Sequence, residues 1–95
     1  MHLDAQLKKQ MDRIEVIDHD LSMKGVVRYY HGEPISFEDK NGREIKEGEW
    51  VLANNRQRLG LVRYFQKRAE YKVIFANGIS PLYTLGGIEV VDVEL

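Results

Sequence analysis

FEDKNGREIKEGEWVL, residues 37–52, sets two glycine turns around an ordered charged segment that opens directly into a strand. Asn41-Gly42 supplies a turn that needs positive φ, and Gly48 supplies another just ahead of the apolar run Trp50-Val51-Leu52. Ile45 stands alone among charged neighbours, which predicts a buried plug, and Trp50 or Val51 is expected to begin the core. These are folding roles, so the stretch says how to read its surroundings more than what the chain does.

Downstream, apolar alternation predicts strands at about 49–54, 58–65, 70–76, 80–84 and 88–93, separated by Asn54-Asn55, residues 66–69, Asn77-Gly78 and Gly86-Gly87. Short strands at that spacing, with no helical pattern between them, favour a small closed β-barrel over a layered α/β arrangement. Period-two alternation makes Val62, Tyr64, Val73, Phe75, Ile88 and Val90 the inward set. Gly60 inside its strand reads as a bend or bulge, and Pro81 as an edge or strand-start position.

Upstream, Leu3, Leu7 and Met11 recur four apart and predict a short amphipathic helix over 3–11, which must dock to persist. Alternation at Ile14 and Val16 predicts a strand over 13–18, and residues 24–31 a second, ending at Gly32-Glu33-Pro34; the two are expected to pair as an accessory hairpin across 18–23. The parallel between Gly25-Val26-Val27-Arg28-Tyr29-Tyr30 and Gly60-Leu61-Val62-Arg63-Tyr64-Phe65 is explained by similar strands on similar turns rather than by duplication.

Ninety-five residues make one compact domain with a single modest core. Fourteen Lys and Arg against 15 Asp and Glu leave a net charge of −1, so no global field draws the chain to nucleic acid or membrane, and any electrostatic argument is local. With no cysteine there is no disulfide, thiolate nucleophile or thiolate zinc site. No apolar run approaches a membrane span and the first ten residues lack a signal-peptide core, so the chain reads as soluble and cytoplasmic, with no membrane partner.

Residues 39–51, Asp-Lys-Asn-Gly-Arg-Glu-Ile-Lys-Glu-Gly-Glu-Trp-Val, resemble the Asp-Lys-Asn-Gly-Lys-Glu-Ile-Tyr-Glu-Gly-Asp-Ile-Val signature of YopX-like proteins of phages and prophages. Gly60-Leu61-Val62, residues 73–78 and residues 88–91 fit the rest of that pattern, and the spacing is also similar to SH3-like barrels of the KOW and Tudor kind. Trp50 stands in place of an aliphatic, Glu49 in place of Asp, and residues 1–34 do not match. The resemblance implies a phage or mobile-element origin and an SH3-like barrel over 35–95, with 1–34 as helix and accessory hairpin. It implies no catalytic residue. The resulting expectation is a mainly β fold, an SH3-like barrel of about five strands with an N-terminal helix.

The strongest local chemistry is basic. Arg56, Arg58, Arg63, Lys67, Arg68 and Lys72, offset only by Glu70, give +5 within 17 residues, beside Tyr64, Phe65 and Tyr71. Cations that neutralise phosphates beside rings that stack on unpaired bases are what single-stranded DNA or RNA requires. The plainer reading pairs these cations with the acidic segments 33–49 and 89–95. A second signal is adhesive: adjacent Tyr29 and Tyr30 point to opposite strand faces, and with Leu3, Leu7 and Tyr71 they form a candidate surface for a host or phage protein or for a second copy. A third reading is an oligomer that buries a nucleotide among Arg and Tyr. Histidines 2, 19 and 31 are too scattered for a metal site, and Asp18-His19-Asp20 reads as a polar turn. There is no phosphate-binding Gly loop, His-Glu-x-x-His or nucleophile elbow, so the expectation is a non-enzymatic binding module without cofactor.

Overall fold

The computed structural model describes residues 1–28 and 37–94. It opens with one helix, α1 (Ala5–Met23), of 19 residues. Asp4 caps it, its Oδ1 accepting the Leu7 N–H at 2.8 Å. The far end stops on Gly25 at φ +72°, where the Gly25 N–H donates to the Ser22 carbonyl and the Val26 N–H to the Leu21 carbonyl. This double bond pattern satisfies carbonyls the helix would otherwise leave open, and glycine takes the left-handed turn at least cost.

The helix therefore runs through the region expected to form a strand at 13–18, so that region is not the first strand of an accessory hairpin. Ile14 and Val16 alternate, but Leu7, Met11, Ile14, Ile17 and Leu21 also follow helical spacing, and the helical set is the one that turns inward. Val16 is 62% exposed, as its place on the far side of a helix requires. Of the second expected strand, residues 24–26 form the exit from the helix, β1 (Val27–Arg28) is strand, and residues 29–31 lie outside the described residues.

The sheet contains β2 (Trp50–Ala53), β3 (Arg58–Phe65), β4 (Glu70–Phe75), β5 (Gly78–Pro81) and β6 (Glu89–Val91). Its order is β5-β4-β3-β2-β6, antiparallel throughout. Eight-residue β3 is the spine: residues 58–61 pair with β2, and Tyr64 and Phe65 pair with β1 on the same side. The chain is thus α+β, one N-terminal helix with a five-stranded antiparallel sheet, and not a closed barrel. β5 and β6 are the two ends of the sheet and do not pair. Four-residue β5 passes at once into a 3-10 turn, Leu82–Thr84, where the expected strand 80–84 would have continued. The Thr84 hydroxyl fixes that turn by donating to the Pro81 carbonyl at 2.7 Å.

Alternation along the strands builds an apolar cluster on each face. Leu52, Leu59, Leu61, Phe65, Ile74 and Val91 meet Leu7, Met11 and Ile14 of the helix. Val51, Val62, Val73, Phe75 and Val90 point the other way and are covered by Ile45, Leu82 and Ile88. The expected inward set is this second cluster, except that Tyr64 is only half-buried, against Tyr71. Ile45 is the plug its surroundings implied, and Val51 rather than Trp50 opens this core; Trp50 leans on the helix-side cluster. Gly60 is neither bend nor bulge, since it pairs in regular register with Val51 and Phe75. Its reason is space: a Cβ there would stand 2.4 Å from Val73 Cγ1 and 2.8 Å from Phe75 Cε1. Pro81 ends an outermost strand, where a missing N–H is tolerated.

Candidate nucleic-acid interface

The hairpin of β3 and β4 carries most of the cations singled out in the sequence, and strand parity decides where each one goes. Arg63 points toward the helix. Its Nε lies 2.8 Å from Asp18 Oδ1 on α1, and its Nη1 donates to Glu47 Oε1 at 2.9 Å. Side-chain exposure is 12% for Arg63 and 6% for Glu47, so the charges meet in a largely water-free setting. The guanidinium therefore ties the helix, the loop before β2 and the sheet together. Arg58 points to the opposite face and lies over the Phe75 ring, 3.6 Å from its centroid.

Arg56, in the β2–β3 loop, donates through Nη1 to both carboxylate oxygens of Glu89 at 2.8 and 2.7 Å. Lys72 sits 5.1 Å from the centroid of the Phe65 ring. Lys67 and Arg68 remain exposed on the 3-10 turn Gln66–Arg68 at the hairpin tip, and neither forms an ion pair with a described residue. Six cations thus occupy two sheet faces, a loop and a tip instead of one basic surface. Glu47 and Glu89 belong to the acidic segments the plainer reading named as partners, and Asp18, on the helix, joins them.

The aromatic component is also directed inward. Tyr64 and Tyr71 are cross-strand partners, their ring centroids 5.2 Å apart at 60°, and both are half-buried. Phe65 belongs to the helix-side core. Of the candidate protein-binding residues, Leu7 is buried and Leu3 packs against the same cluster, because the short-helix stripe docks on the sheet and is not presented to a partner. Tyr71 packs against the opposite cluster, and Tyr29 and Tyr30 lie outside the described residues. Large apolar side chains that do reach solvent are Val16 and Met23 on α1, Phe37, Ile79 on β5, and Tyr83 in the turn that follows.

The charged segment from residue 37 holds a different kind of site. Asp39 is buried; its Oδ1 accepts the N–H groups of Asn41 and Arg43 at 2.9 and 2.8 Å, and its Oδ2 accepts that of Val90 at 2.9 Å. Burial pushes this carboxyl up, but the three N–H donors, from Val90, Arg43 and Asn41, together with the Arg43 charge hold it below the ordinary aspartate value. Gly42 at φ +79° closes the turn, so Asp39 fastens the Asn41-Gly42 loop to the last strand. Next to it, burial pushes the Glu49 carboxyl up against the pull of Arg43 and Lys46. Arg43 reaches Asp92 at 3.1 Å and holds that carboxyl down by hydrogen bonding.

Gln10 stands beside Met11 on the helix and links α1 to β3. Its Nε2 donates to the Gln57 carbonyl at 3.0 Å and its Oε1 accepts the Leu59 N–H at 2.9 Å, so the carboxamide caps the edge of β3 where β4 has ended. Nothing in its sequence position marks this role, because it depends on which way a 19-residue helix crosses the sheet.

Among the described residues, no three His, Asp or Glu side chains gather as metal ligands; Asp18 and Asp20 lie on α1, the latter paired with Lys24 at 3.0 Å. No described helix is long and apolar enough to cross a membrane. In comparisons with known proteins, no family model, curated protein or solved structure matches this chain.

Proposed function

We propose that the chain is a non-enzymatic accessory binding module of phage or prophage type, acting in the cytoplasm, whose ligand is a host or phage protein. The observation that carries this choice over nucleic acid is the internal engagement of the basic segment: Arg56 and Arg63 are held by carboxylates, and Lys72 lies over the Phe65 ring. A phosphate would have to compete with Glu89, Glu47 and Asp18 for two of those cations. Ile79 and Tyr83, on and just beyond an end strand, present the apolar and aromatic area that protein interfaces use. The likeness of residues 39–51 to the YopX-like signature supports the phage origin. The return of β6 to β2 after a 3-10 turn supports an SH3-like relationship in connectivity.

The test is a photo-cross-linking side chain placed at Ile79 or Tyr83, with Glu15 on the exposed face of α1 as the control. A discrete protein adduct at 79 or 83, absent at 15 and lost when the other of the pair is changed to Ser, is the expected result. No adduct at either position in host cells, with the protein monomeric by light scattering, removes the reading. Single-stranded DNA or RNA is the second reading, favoured by exposed Lys67 and Arg68. It predicts low-salt retention on single strands that K67E/R68E abolishes; retention unchanged in the double variant excludes the tip as the site.

A further inference from the structure

A cleft of about 350 Å3 opens where the first turns of α1 pass the β2–β3 and β4–β5 loops. Gln6 and Gln10, one helical turn apart, form one wall; Asn54, Gln57, Arg58 and Asn77 form the others. Every polar side chain in this lining is a carboxamide except one, and the exception is a guanidinium. No carboxylate lines the cleft.

Arg58 differs from the three arginines that are already matched to acids. Arg43, Arg56 and Arg63 each lie against a carboxylate. Arg58 is half-buried, stacked on Phe75 and tethered by its Nη2 to the neutral Asn77 Oδ1 at 2.9 Å. Its Nε is shut off from solvent without an acceptor, and among the described residues no carboxylate pairs with it. A guanidinium cannot shed its charge, and a fixed, partly desolvated cation is costly without a countercharge. The ring beneath it and the amide beside it also remove most of the entropy a ligand would otherwise have to overcome.

The loop that shapes one wall is itself held in an unusual conformation. Asn54, Asn55 and Arg56 have φ of 50°, 55° and 68°, three successive left-handed residues with no glycine among them. Such a run is strained for residues with a side chain, less so for asparagine. The Gln57 N–H, bonded to the Ala53 and Asn54 carbonyls, and the Arg56–Glu89 pair keep it in place. Asn54, which opens this run, and Gln57, which follows it, line the cleft together with Arg58. The Gln10 amide is already occupied by β3, which leaves Gln6, Asn54, Gln57 and the Asn77 amine to face a guest.

We propose that this cleft binds a small molecule bearing an oxyanion, with its phosphate or carboxylate on Arg58 and a planar hydrogen-bonding edge read by the carboxamides of Asn54, Gln57 and Asn77. The volume is within the lower part of the range for small-ligand sites and larger than a bare phosphate fills, so the guest carries more than its charge. Carboxamides offer a donor and an acceptor side by side, the pattern that matches a nucleobase edge or a peptide group. The proposal is independent of protein binding through Ile79 and Tyr83 and survives or fails separately from it.

The experiment titrates 15N-labelled protein with AMP, N-acetylglycine, inorganic phosphate and adenosine, following the side-chain amides of Asn54, Gln57 and Asn77 and the Arg58 Nε–H. AMP or N-acetylglycine is expected to move all four, phosphate to move Arg58 most, and adenosine to bind far more weakly than AMP. Whichever of AMP and N-acetylglycine binds more tightly identifies the oxyanion as phosphate or carboxylate. R58M, which keeps an apolar stem over Phe75, is expected to weaken the better ligand by about tenfold or more. Should R58M not fold, N77A is expected to keep the fold and weaken binding severalfold. No response at these signals to any probe, equal binding of AMP and adenosine, or unchanged affinity in the folded variant overturns the proposal.

Discussion

The two faces of the sheet are covered in opposite ways. One face is covered by a single regular element, α1, whose Leu7, Met11 and Ile14 project into it from a three-to-four residue period. The other is covered by separate turns, which deliver Ile45, Leu82 and Ile88 one at a time. A helix distributes its attachment over many turns, whereas a cover made of turns depends on the few bonds that fix each one. Asp39 is such a fixing point; on the helix side the Gln10 carboxamide and the Arg63–Asp18 pair add to an attachment already spread along α1.

Breaking each cover in turn tests that contrast. Phe75→Ala should have the largest effect, about 4 kcal/mol, because it opens a cavity in the turn-covered core and removes the ring under Arg58. Ile14→Ala should cost about 3 kcal/mol from the helix side. Urea unfolding followed by Trp50 fluorescence and by far-ultraviolet circular dichroism should give coincident transitions in both variants. Separation of the two signals in I14A would show that the helix-covered face melts independently. Gly60→Ala should cost about 2 kcal/mol by overpacking against Val73 and Phe75. It should be partly rescued by Val73→Ala, a double change that a simple backbone-flexibility role for Gly60 would not rescue.

Asp39→Ala, which leaves three N–H groups without their carboxylate, should cost about 2 kcal/mol at neutral pH. Its carboxyl is lowered in the folded state, so its contribution is complete above the unfolded value of 3.8 and is lost as pH falls through the lower folded value. Glu49, pushed up by burial, works in the opposite sense: its penalty is relieved as pH falls through its raised value toward the unfolded 4.5. Urea midpoints measured from neutral to acid pH should show D39A converging on the parent protein below about pH 4. A constant gap across that range would mean that the turn is held by packing alone. The smallest effect should be that of Gln10→Ala, about 1 kcal/mol, detected as faster amide exchange at Leu59 with little change elsewhere.

The same contrast explains what could be read from the sequence. The turn-covered core was legible because period-two alternation at Val62, Val73, Phe75, Ile88 and Val90 leaves no competing period, and because Gly42 and Gly48 at φ +79° and +84° are the kind of position only glycine fills easily. The second half of the helix was not, since Ile14, Val16 and Ile17 satisfy both periods, and β-branched residues favour strands in isolation. Burial of Ile14 under a sheet far along the chain settles the matter, and no local pattern contains that sheet. Closure failed for a similar reason: short strands are compatible with a barrel, but the early departure of β5 at Leu82 is a tertiary event. At the candidate site the cations themselves were legible, and so were the acidic segments opposing them. Their partnerships, Arg63 with Asp18 and Glu47 and Arg56 with Glu89, span 45, 16 and 33 positions of sequence and exist only once the faces are assigned.

β3 serves every layer at once: it gives Leu59 and Leu61 to one cluster, Val62 to the other, and its edges to β1, β2 and β4. The turn joining it to β4 is short, so this hairpin closes at a small cost in loop entropy. A one-residue slip in that pairing would turn the apolar residues of the slipped strand to the wrong faces and spoil the surfaces on which the helix and the turns settle. The fit of both covers therefore depends on one register, and the β3 and β4 amides should be the last to yield their protons to solvent.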